Sequence, residues 1–504
     1  MQISDIAHRM AHRDIWLLAL FGLHLGHALL FAKLYPYHVQ DTDLLAYFIY
    51  FQNLLDPQTL APSGRFFFPV PKPLLCFLLG PLGNAQWAFY VTAVMSAALG
   101  SVVYLVGRHF FSRGLGILLS LFLLLDPFKG ILTLESSADL YVTLFLFMAL
   151  YGFAVHRPAV SAVCLLLSAL VKPVSLPCAA AFLLCPNKRA TADPVDPTDT
   201  DKTRLWRWAL IPGLAIPLVL FSDWLFLGSI FGSAKLLAEF TALRQTAPLP
   251  AQDYLHFIFW EHFIQYRFGF SAVFGLLGLL LWLSTEKQRL TSPFLLLPLF
   301  FLGGYVLIGF ISPHTPFLRF YWPIEIWFLA FILYGLLEGT QRIFSSTAFR
   351  PFALALLLLF PLGDTFRHHM TYRNHFALPF ENEMAFVTSA VHVLKHEKQP
   401  HETILSPVAF MPYLMWELHI LEWAGPILPA EEISLQKPGT QSDWPDWIVY
   451  VPKISANPQS IQHITHLIDQ GAYELRLKSQ TAALLHRTSQ AGGEENEIAL
   501  SATH

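Results

Sequence analysis

The sequence predicts an α-helical polytopic membrane protein with a C-terminal α/β domain on the extracytoplasmic face. Three observations support this prediction. The 504-residue chain is 54% hydrophobic and 13% charged, and its mean hydropathy is +0.48. Apolar runs that approach or reach the roughly 20 residues needed to cross a bilayer recur before residue 363. After Pro361 the composition becomes that of an ordinary soluble domain, so we expect a transmembrane domain over 1–363 and a soluble domain over 364–504.

The transmembrane domain is expected to contain about eleven transmembrane segments, several of them shorter than a full span. Their predicted positions are residues 15–34, 74–107 (an interfacial approach and one span), 115–125, 139–155, 159–171, 173–185, 207–227, 268–284, 293–311, 321–337 and 351–363. Segments 159–171 and 173–185 should form a hairpin. The reason is that Pro173 disfavours helical geometry in the residue before it.

Basic residues in the turns predict the orientation of the chain. Arg9 and Arg13 precede the first span, so the positive-inside rule places the N-terminus in the cytoplasm. Residues 41–43 then lie on the far side, and an odd number of crossings places the C-terminus there too. No small-residue cleavage site follows the first apolar run, so we expect a protein that stays anchored in the inner or plasma membrane.

The soluble domain is predicted to alternate strands and helices. Residues 403–408, 447–451, 473–477 and 482–486 are typical of short strands. Helical patterns near 380–397 and 459–470 alternate with them, which favours a small α/β fold.

Several classes of function are excluded by composition and motifs. All four cysteines lie in apolar stretches, which argues against a disulfide framework and a cysteine zinc site. The net charge of −3 argues against a nucleic-acid partner. The sequence contains no His-Glu-x-x-His, phosphate-loop or Gly-x-Ser-x-Gly motif. The histidines, among them His256, His314, His368 and His369, show no ligand spacing and are expected at surfaces or interfaces.

Asp41 and Asp43 stand just after the first span, before an apolar stretch that predicts an interfacial helix. One of them could simply cap that helix, because Asp oxygens accept hydrogen bonds from unpaired backbone N–H groups. Alternatively, Asp43 or Asp41 is a general base held at the membrane surface, where an acceptor meets a lipid-borne donor.

Glu135 and Asp139 are spaced i, i+4, which places them on one face if this segment is helical. They could be a capping and solubilising pair. They could also hold a divalent cation, because Mg²⁺ or Mn²⁺ binds one or two carboxylates together with phosphate oxygens and water.

Six basic residues are predicted at membrane depth, on the side that the positive-inside rule does not favour. A phosphate or pyrophosphate group is the natural partner for such a set. The residues are Arg65, Lys72, Lys129, Lys172, Arg267 and Arg319.

With these residues in view, the chain resembles the GT-C fold glycosyltransferases and is similar to the protein mannosyltransferase and lipid A aminoarabinose transferase families. The resemblance covers residues 1–363. It is carried by Asp41-Thr-Asp43, Phe68-Pro-Val-Pro-Lys-Pro-Leu74, the Asp139 that opens the fourth span, and Arg319-Phe-Tyr-Trp-Pro323. Many relatives have Asp-Glu at the first motif, whereas Leu44 follows Asp43 here, which leaves the choice between Asp41 and Asp43 open.

The resemblance implies a hexosyl- or pentosyltransferase that moves a sugar from a polyprenyl-phosphate carrier to a lipid, glycan or protein acceptor on the extracytoplasmic face. Asp43 or Asp41 would be the base. The carrier phosphate would contact Lys72, Lys172, Arg319 and Arg65, and a divalent cation, if one is used, would bind Asp139 and Glu135. A lipid or sugar transporter or flippase is the main alternative, and an inactive scaffold is a third. Against a transporter, the halves are not duplicated and the charges cluster on one side instead of at the midplane.

Overall fold

A computed structural model describes residues 14–40, 42–55, 70–185, 206–236, 256–285, 290–311, 321–344, 348–374, 378–407, 410–420, 427–429, 445–451, 472–479 and 482–488. Within these ranges the chain is mostly helical, and one small sheet lies in its last part.

Between residues 14 and 374, the described parts of the chain contain fourteen α-helices of six or more residues. They are α1 (Ile15–Leu34), α2 (Thr42–Leu55), α3 (Pro73–Leu78), α4 (Ala85–Phe110), α5 (Arg113–Leu125), α6 (Pro127–Leu134), α7 (Ala138–Ala154), α8 (Pro158–Val171), α9 (Cys178–Leu184), α10 (Ala215–Leu227), α11 (Ser271–Thr285), α12 (Pro293–Ile311), α13 (Trp322–Ile343) and α14 (Phe349–Tyr372). Short 3₁₀ or π turns lie at Pro36–Gln40, Gly80–Leu82, Pro173–Ser175 and Trp206–Leu210, a short helical turn lies at Ile211–Gly213, and a longer π segment spans Phe257–Phe268.

Five of the described helices are long and apolar enough to cross a bilayer: α1, α4, the stretch Trp208–Leu227, α13 and α14. The helices α5 and α6 would make a sixth span if they are counted together, although they bend by 61° at Asp126. The protein is therefore a multi-pass membrane protein. The finer count of about eleven segments stays a prediction, because helices such as α7, α8 and α11 are shorter than a full span.

The predicted break after Val171 is confirmed. Helix α8 ends at Val171, Lys172 has extended backbone angles, and a 3₁₀ turn starts at Pro173. The last helix of this part differs from the prediction, because α14 continues through Pro361 to Tyr372 instead of ending near residue 363.

The last part of the chain contains helices α15 (Leu378–Glu397) and α16 (Met411–Glu417) and a five-stranded sheet. Its strands are β1 (Ile404–Ser406), β2 (Ile427–Pro429), β3 (Trp447–Tyr450), β4 (Tyr473–Lys478) and β5 (Ala483–Arg487), in the order β2-β1-β3-β5-β4. The pairs β2-β1 and β1-β3 are parallel, whereas β3-β5 and β5-β4 are antiparallel. The predicted helix at 459–470 lies outside the described residues.

Helix α2 is not the interfacial helix that the sequence predicts. Every residue from Leu44 to Tyr50 is at most 2% exposed. The helix α16 packs along α2, with the rings of Phe48 and Trp416 centred 5.2 Å apart. On another side the turn at Gly80 approaches so closely that a Cβ there would lie 2.6 Å from the Cβ of Phe51. Protein packing therefore fixes the position of α2.

Candidate functional site

A buried ion pair between Lys172 and Asp139 lies at the centre of the candidate site. Lys172 Nζ donates a hydrogen bond to Asp139 Oδ1 at 2.5 Å, and the two side chains are 12% and 3% exposed. Asp139 stands in the first turn of α7, where Ser137 caps the helix by accepting from the Asp139 N–H at 3.3 Å. Lys172 can reach it because α8 ends one residue earlier. The break in the hairpin thus places a lysine beside a helix N-terminus.

Tyr305 adds a second contact to Lys172. Lys172 Nζ lies 3.5 Å from the Tyr305 hydroxyl, and the ring of Tyr305 lies 5.8 Å from that of Tyr321. Tyr321 belongs to the Arg319-Phe-Tyr-Trp-Pro323 motif, and Arg319 itself lies outside the described residues. The middle residue of that motif therefore lies near the Lys172 pair.

Lys72 lies close to the same pair. Burial, followed by the nearby charge of Lys172, lowers the pKa of Lys72 from 10.5 to about 8, while Asp43 and Asp139 oppose the shift. A charge shifts the pKa of another group mainly when it is near, so Lys172, Asp43 and Asp139 all lie within electrostatic range of Lys72. Lys72 occupies the N-cap position of α3 and is partly exposed.

Asp43 contributes a carboxylate from a fourth element. It lies in the first turn of α2 and is partly exposed, whereas the seven residues after it are buried. The rigid packing of α2 holds this carboxylate at the edge of the protein core. The structure thus groups Lys172 and the carboxylates of Asp43 and Asp139 around Lys72, and the roles predicted for these residues stay predictions. Asp41 and Arg65 lie outside the described residues.

Asp223 is a further acidic residue near the candidate site that the sequence motifs do not indicate. Its charge interacts with that of Lys72, so it borders the site from α10. The carboxylate accepts hydrogen bonds from the Ser233 N–H at 2.9 Å and from the Ser233 hydroxyl at 2.6 Å. The available signal was a lone acidic residue inside an apolar run, which tends to mark function in membrane proteins.

Glu135 does not share a helical face with Asp139. Helix α6 ends at Leu134, Ser136 has a φ of +49°, and α7 begins at Ala138. The i, i+4 relation therefore fails, because a turn separates the two carboxylates. Glu135 Oε1 instead lies 3.4 Å from His38 Nδ1.

As arranged here, these two carboxylates do not fit a shared cation site. Asp139 is bonded to Lys172, and Glu135 faces His38. Across the part of the chain that the structure describes, no group of three or more His, Cys, Asp or Glu side chains could hold a metal ion. Divalent cations need several oxygen ligands converging on one point.

Arg267 is not available to a phosphate. Its Nη2 donates to Asp126 Oδ2 at 2.6 Å, and its Nε donates to Glu325 Oε2 at 2.8 Å. Trp322 Nε1 also donates to Asp126 Oδ2, at 3.2 Å. All these side chains are buried, so the network joins three elements inside the bundle. Lys129 is fully buried close to Asp126, which also argues against a headgroup contact.

The histidines are not confined to surfaces and interfaces. His256 is exposed, as expected, and His369 is partly exposed, but His24, His38 and His368 are at most 2% exposed. His24 lies 3.0 Å from the hydroxyl of Ser120, between α1 and α5.

A cavity of about 230 Å³ lies beside α2, between the transmembrane part and the last part of the chain. Its walls include Pro36, Val39, Leu45, Asn84, Trp416 and Glu417. The walls combine polar groups with an aromatic ring, and the turn Pro36–Gln40 that leads towards Asp43 contributes one side.

No protein-family model matches the chain, and no curated protein matches it by sequence. Solved structures that are similar to it include the apo oligosaccharyltransferase of Archaeoglobus fulgidus, with a TM-score of 0.47 and 12% identity over 81% of this chain and 64% of that chain. Another is ArnT from Cupriavidus metallidurans bound to undecaprenyl phosphate, with a TM-score of 0.45 and 12% identity over 95% and 99%. A third is AglB from A. fulgidus in complex with an inhibitory peptide and a dolichol-phosphate, with a TM-score of 0.47 and 12% identity over 83% and 64%.

Because every TM-score is below 0.5, the function of this chain is inferred below from its own residues.

Proposed function

We propose that this protein is a membrane glycosyltransferase that moves a sugar from a polyprenyl-phosphate carrier to an acceptor on the extracytoplasmic face. The observation that carries the proposal is the convergence of Lys72 and Lys172 with Asp43 and Asp139 from four separate elements. Two cations and a partly exposed carboxylate at the edge of a membrane bundle suit a reaction with a charged lipid headgroup. The sugar is of the hexosyl or pentosyl class.

Lys72 and Lys172 are the proposed contacts of the carrier phosphate. Lys172 is held by Asp139 and Tyr305, so little side-chain freedom is lost when it binds an anion. Lys72 is partly desolvated, and a phosphate would restore the stability of its charged form. Charge-assisted hydrogen bonds from ammonium groups to phosphate are short and strong.

The charges of the two lysines do not suffice to bind a dianionic phosphate. Two lysines face three aspartates, Asp43, Asp139 and Asp223, which leaves a net charge of −1 when all five are ionised. Arg65 and Arg319 are the predicted further phosphate contacts. With both present the sum becomes +1, so we propose that the complete site depends on them.

Asp43 is the proposed base, and Asp41 remains the alternative. The acceptor loses its proton to the carboxylate while its oxygen or nitrogen forms a bond to the anomeric carbon of the sugar. The bond from that carbon to the phosphate oxygen breaks, and the electron pair leaves with the polyprenyl phosphate. Lysine and arginine charges stabilise the departing phosphate, which is where negative charge develops.

A divalent cation is not needed in this scheme, because the cationic side chains take that role. The predicted cation contact of Asp139 and Glu135 would require Asp139 to release Lys172. Turnover measured with and without a chelator tests it directly, and loss of turnover on chelation that Mg²⁺ or Mn²⁺ restores would support the cation.

Binding of undecaprenyl phosphate to the purified protein in lipid nanodiscs tests the phosphate contacts, with undecaprenol as the phosphate-free control. We expect Lys72→Gln to weaken undecaprenyl phosphate binding by about 10- to 100-fold, since hydrogen bonds to charged groups contribute about 1.5–3 kcal/mol. Lys33→Gln, an exposed lysine at the end of α1, is the matched control and should bind normally. Equal affinity for undecaprenol would contradict the phosphate site.

Lys172 requires a paired variant, because removing one partner of a buried ion pair leaves the other unpaired and destabilises the fold. Lys172→Gln with Asp139→Asn removes both charges together. We expect this double variant to fold and to lose undecaprenyl phosphate binding. Normal binding would assign the pair to structure alone.

Transfer itself is tested by comparing envelope glycans and glycolipids by mass spectrometry in cells with the parent protein, without it, and with Asp43→Asn. We expect one glycan or glycolipid to lose a sugar in the last two. If the glycans are unchanged but a lipid-linked sugar moves between leaflets, the protein is a transporter or flippase.

A further inference from the structure

We propose that His38, Glu135 and Glu381 form a positioning cluster that ties the segment leading to the proposed base to the transmembrane bundle and to the last part of the chain. The inference rests on the proposed function, because it assigns these residues to the acceptor side of that same site. None of the three touches the reacting groups in this scheme.

The cluster is built around a buried histidine. His38 is 2% exposed, its Nδ1 lies 3.4 Å from Glu135 Oε1, and its Nε2 lies 3.9 Å from Glu381 Oε2. The ring of Phe380 is centred 4.7 Å from the imidazole, and that of Tyr35 meets it edge-on at 6.0 Å. One imidazole thus lies between two carboxylates, with one carboxylate facing each ring nitrogen.

Glu381 also holds the backbone next to His38. Its Oε1 accepts a hydrogen bond from the Tyr37 N–H at 3.0 Å. Tyr37 belongs to the turn Pro36–Gln40, whose 3₁₀ geometry leaves backbone N–H groups in need of acceptors. A carboxylate from α15 therefore contacts both the backbone and a side chain of this turn.

Two of the three residues lie close in sequence to residues of the candidate site. His38 precedes Asp43 by five residues, and Glu135 precedes Asp139 by four. The turn Pro36–Gln40 also supplies Pro36 and Val39 to the cavity beside α2. Movement of this turn would change the cavity and the start of α2, whereas the Lys172–Asp139 pair is fixed by other contacts.

Hydrogen–deuterium exchange of the parent protein and its variants measures the positioning without any ligand. Glu381→Ala removes the acceptor for the Tyr37 N–H, whereas Glu381→Gln keeps an amide oxygen there. We expect exchange in residues 36–47 to rise about tenfold in the alanine variant and much less in the glutamine variant. Glu397→Gln, on the same helix and paired with Arg476 at the surface, is the matched control.

Glu135→Gln leaves the Tyr37 hydrogen bond in place and weakens the contact with His38, so it tests the cluster even if Glu381→Ala gives no folded protein. Because Glu135 and Glu381 share one partner, we expect the effects of their glutamine variants on exchange in residues 36–47 to be non-additive. Additive effects, or exchange equal to that of Glu397→Gln, would overturn the cluster.

Undecaprenyl phosphate binding and transfer in cells separate the cluster from the function it serves. We expect Glu381→Ala to lower sugar transfer at least tenfold while undecaprenyl phosphate affinity stays within about twofold of the parent, because the turn leads to the proposed base and not to the proposed phosphate contacts. Equal loss of binding and transfer would assign the cluster to general stability. If the parent itself neither binds undecaprenyl phosphate nor alters any glycan, the proposed function fails. The hydrogen–deuterium exchange result then still decides whether the cluster holds the turn Pro36–Gln40.

Discussion

Lys172 and Asp139 form an ion pair, so the net charge of the candidate site is set by the residues around the pair. Burial makes the charged form of Lys72 less stable than it would be in water. Asp43 has a partly exposed carboxylate at the start of α2. Each of these two residues leads to a separate prediction.

Asp43→Asn should lower sugar transfer by about 10²- to 10⁴-fold, the usual contribution of a general base, while undecaprenyl phosphate still binds. Asp41→Asn should have a smaller effect if Asp41 only precedes the helix. Rates from purified protein, divided by the folded fraction, provide the measurement. Reversed effects would make Asp41 the base, and two unchanged rates would remove the catalytic role of this stretch.

The pKa of Lys72 predicts how undecaprenyl phosphate affinity depends on pH. Burial holds the pKa of Lys72 at about 8 in the free protein, so the charged form is complete below that value and is lost above it. The second ionisation of a phosphate monoester, near pH 6, is already complete in this window. Affinity should therefore fall as the pH rises through about 8.

Lys72→Arg is the control for this pH dependence, because an arginine stays protonated throughout. Titrations with undecaprenyl phosphate between pH 7 and about 10 should show the decrease in the parent and not in the arginine variant. The same decrease in both proteins would assign the titration to another group.

Several residues of the candidate site could be predicted because ionisable side chains at membrane depth are rare and stand out in an apolar sequence. Asp43, Lys72, Asp139 and Lys172 were found in this way. Tyr305 could not be found, since one tyrosine in an apolar helix has no distinguishing pattern. Glu135 was given the wrong partner because its spacing to Asp139 does not reveal the turn at Ser136.

At the scale of elements, the apolar helices were predictable and their partners were not. The stretch after Asp43 is apolar on all sides, which suits either lipid or protein. The structure covers it with α16, which lies more than 350 residues later in the chain. Strand β2 has only three residues and ends in a proline, so the sequence pattern did not mark it.

Helices α11 and α13 are in close contact through two glycines. Gly278 and Gly335 let the two backbones meet, and a Cβ on Gly278 would lie 2.8 Å from the Gly335 N and closer still to the Phe331 carbonyl oxygen. Small residues allow such approaches between membrane helices. Gly278→Val should therefore separate the helices and reduce folded yield strongly, measured by size-exclusion chromatography.

Gly303→Val is the comparison for that variant. Gly303 lies in α12, and a Cβ there would meet no atom within 4 Å. We expect nearly normal yield from it. Similar losses in both variants would mean that any β-branched residue in these helices lowers yield, through helix propensity instead of packing.

For the whole molecule, the last part of the chain and the transmembrane part meet at the candidate site. Helix α16 covers α2, and Glu381 of α15 contacts the turn before Asp43. If the site faces the extracytoplasmic side, the last part of the chain must lie there too, because these contacts hold them together. The domain boundary at residues 363 and 364 stays a prediction, and α14 runs through it.

The predicted orientation of the chain rests on the basic residues in its turns. Arg9 and Arg13 favour a cytoplasmic N-terminus, and an odd number of crossings then places the C-terminus outside. A reporter that is active only in the cytoplasm should be inactive when fused after His504, whereas a reporter that is active only outside should work there. Both reporters fused after Arg113, the first residue of α5, should give the opposite pair of results, because the predicted orientation returns the chain to the cytoplasm after α4. Cytoplasmic activity after His504 would place α16, and with it α2 and Asp43, on the cytoplasmic side. Transfer from a polyprenyl-phosphate carrier would then have to occur on that face.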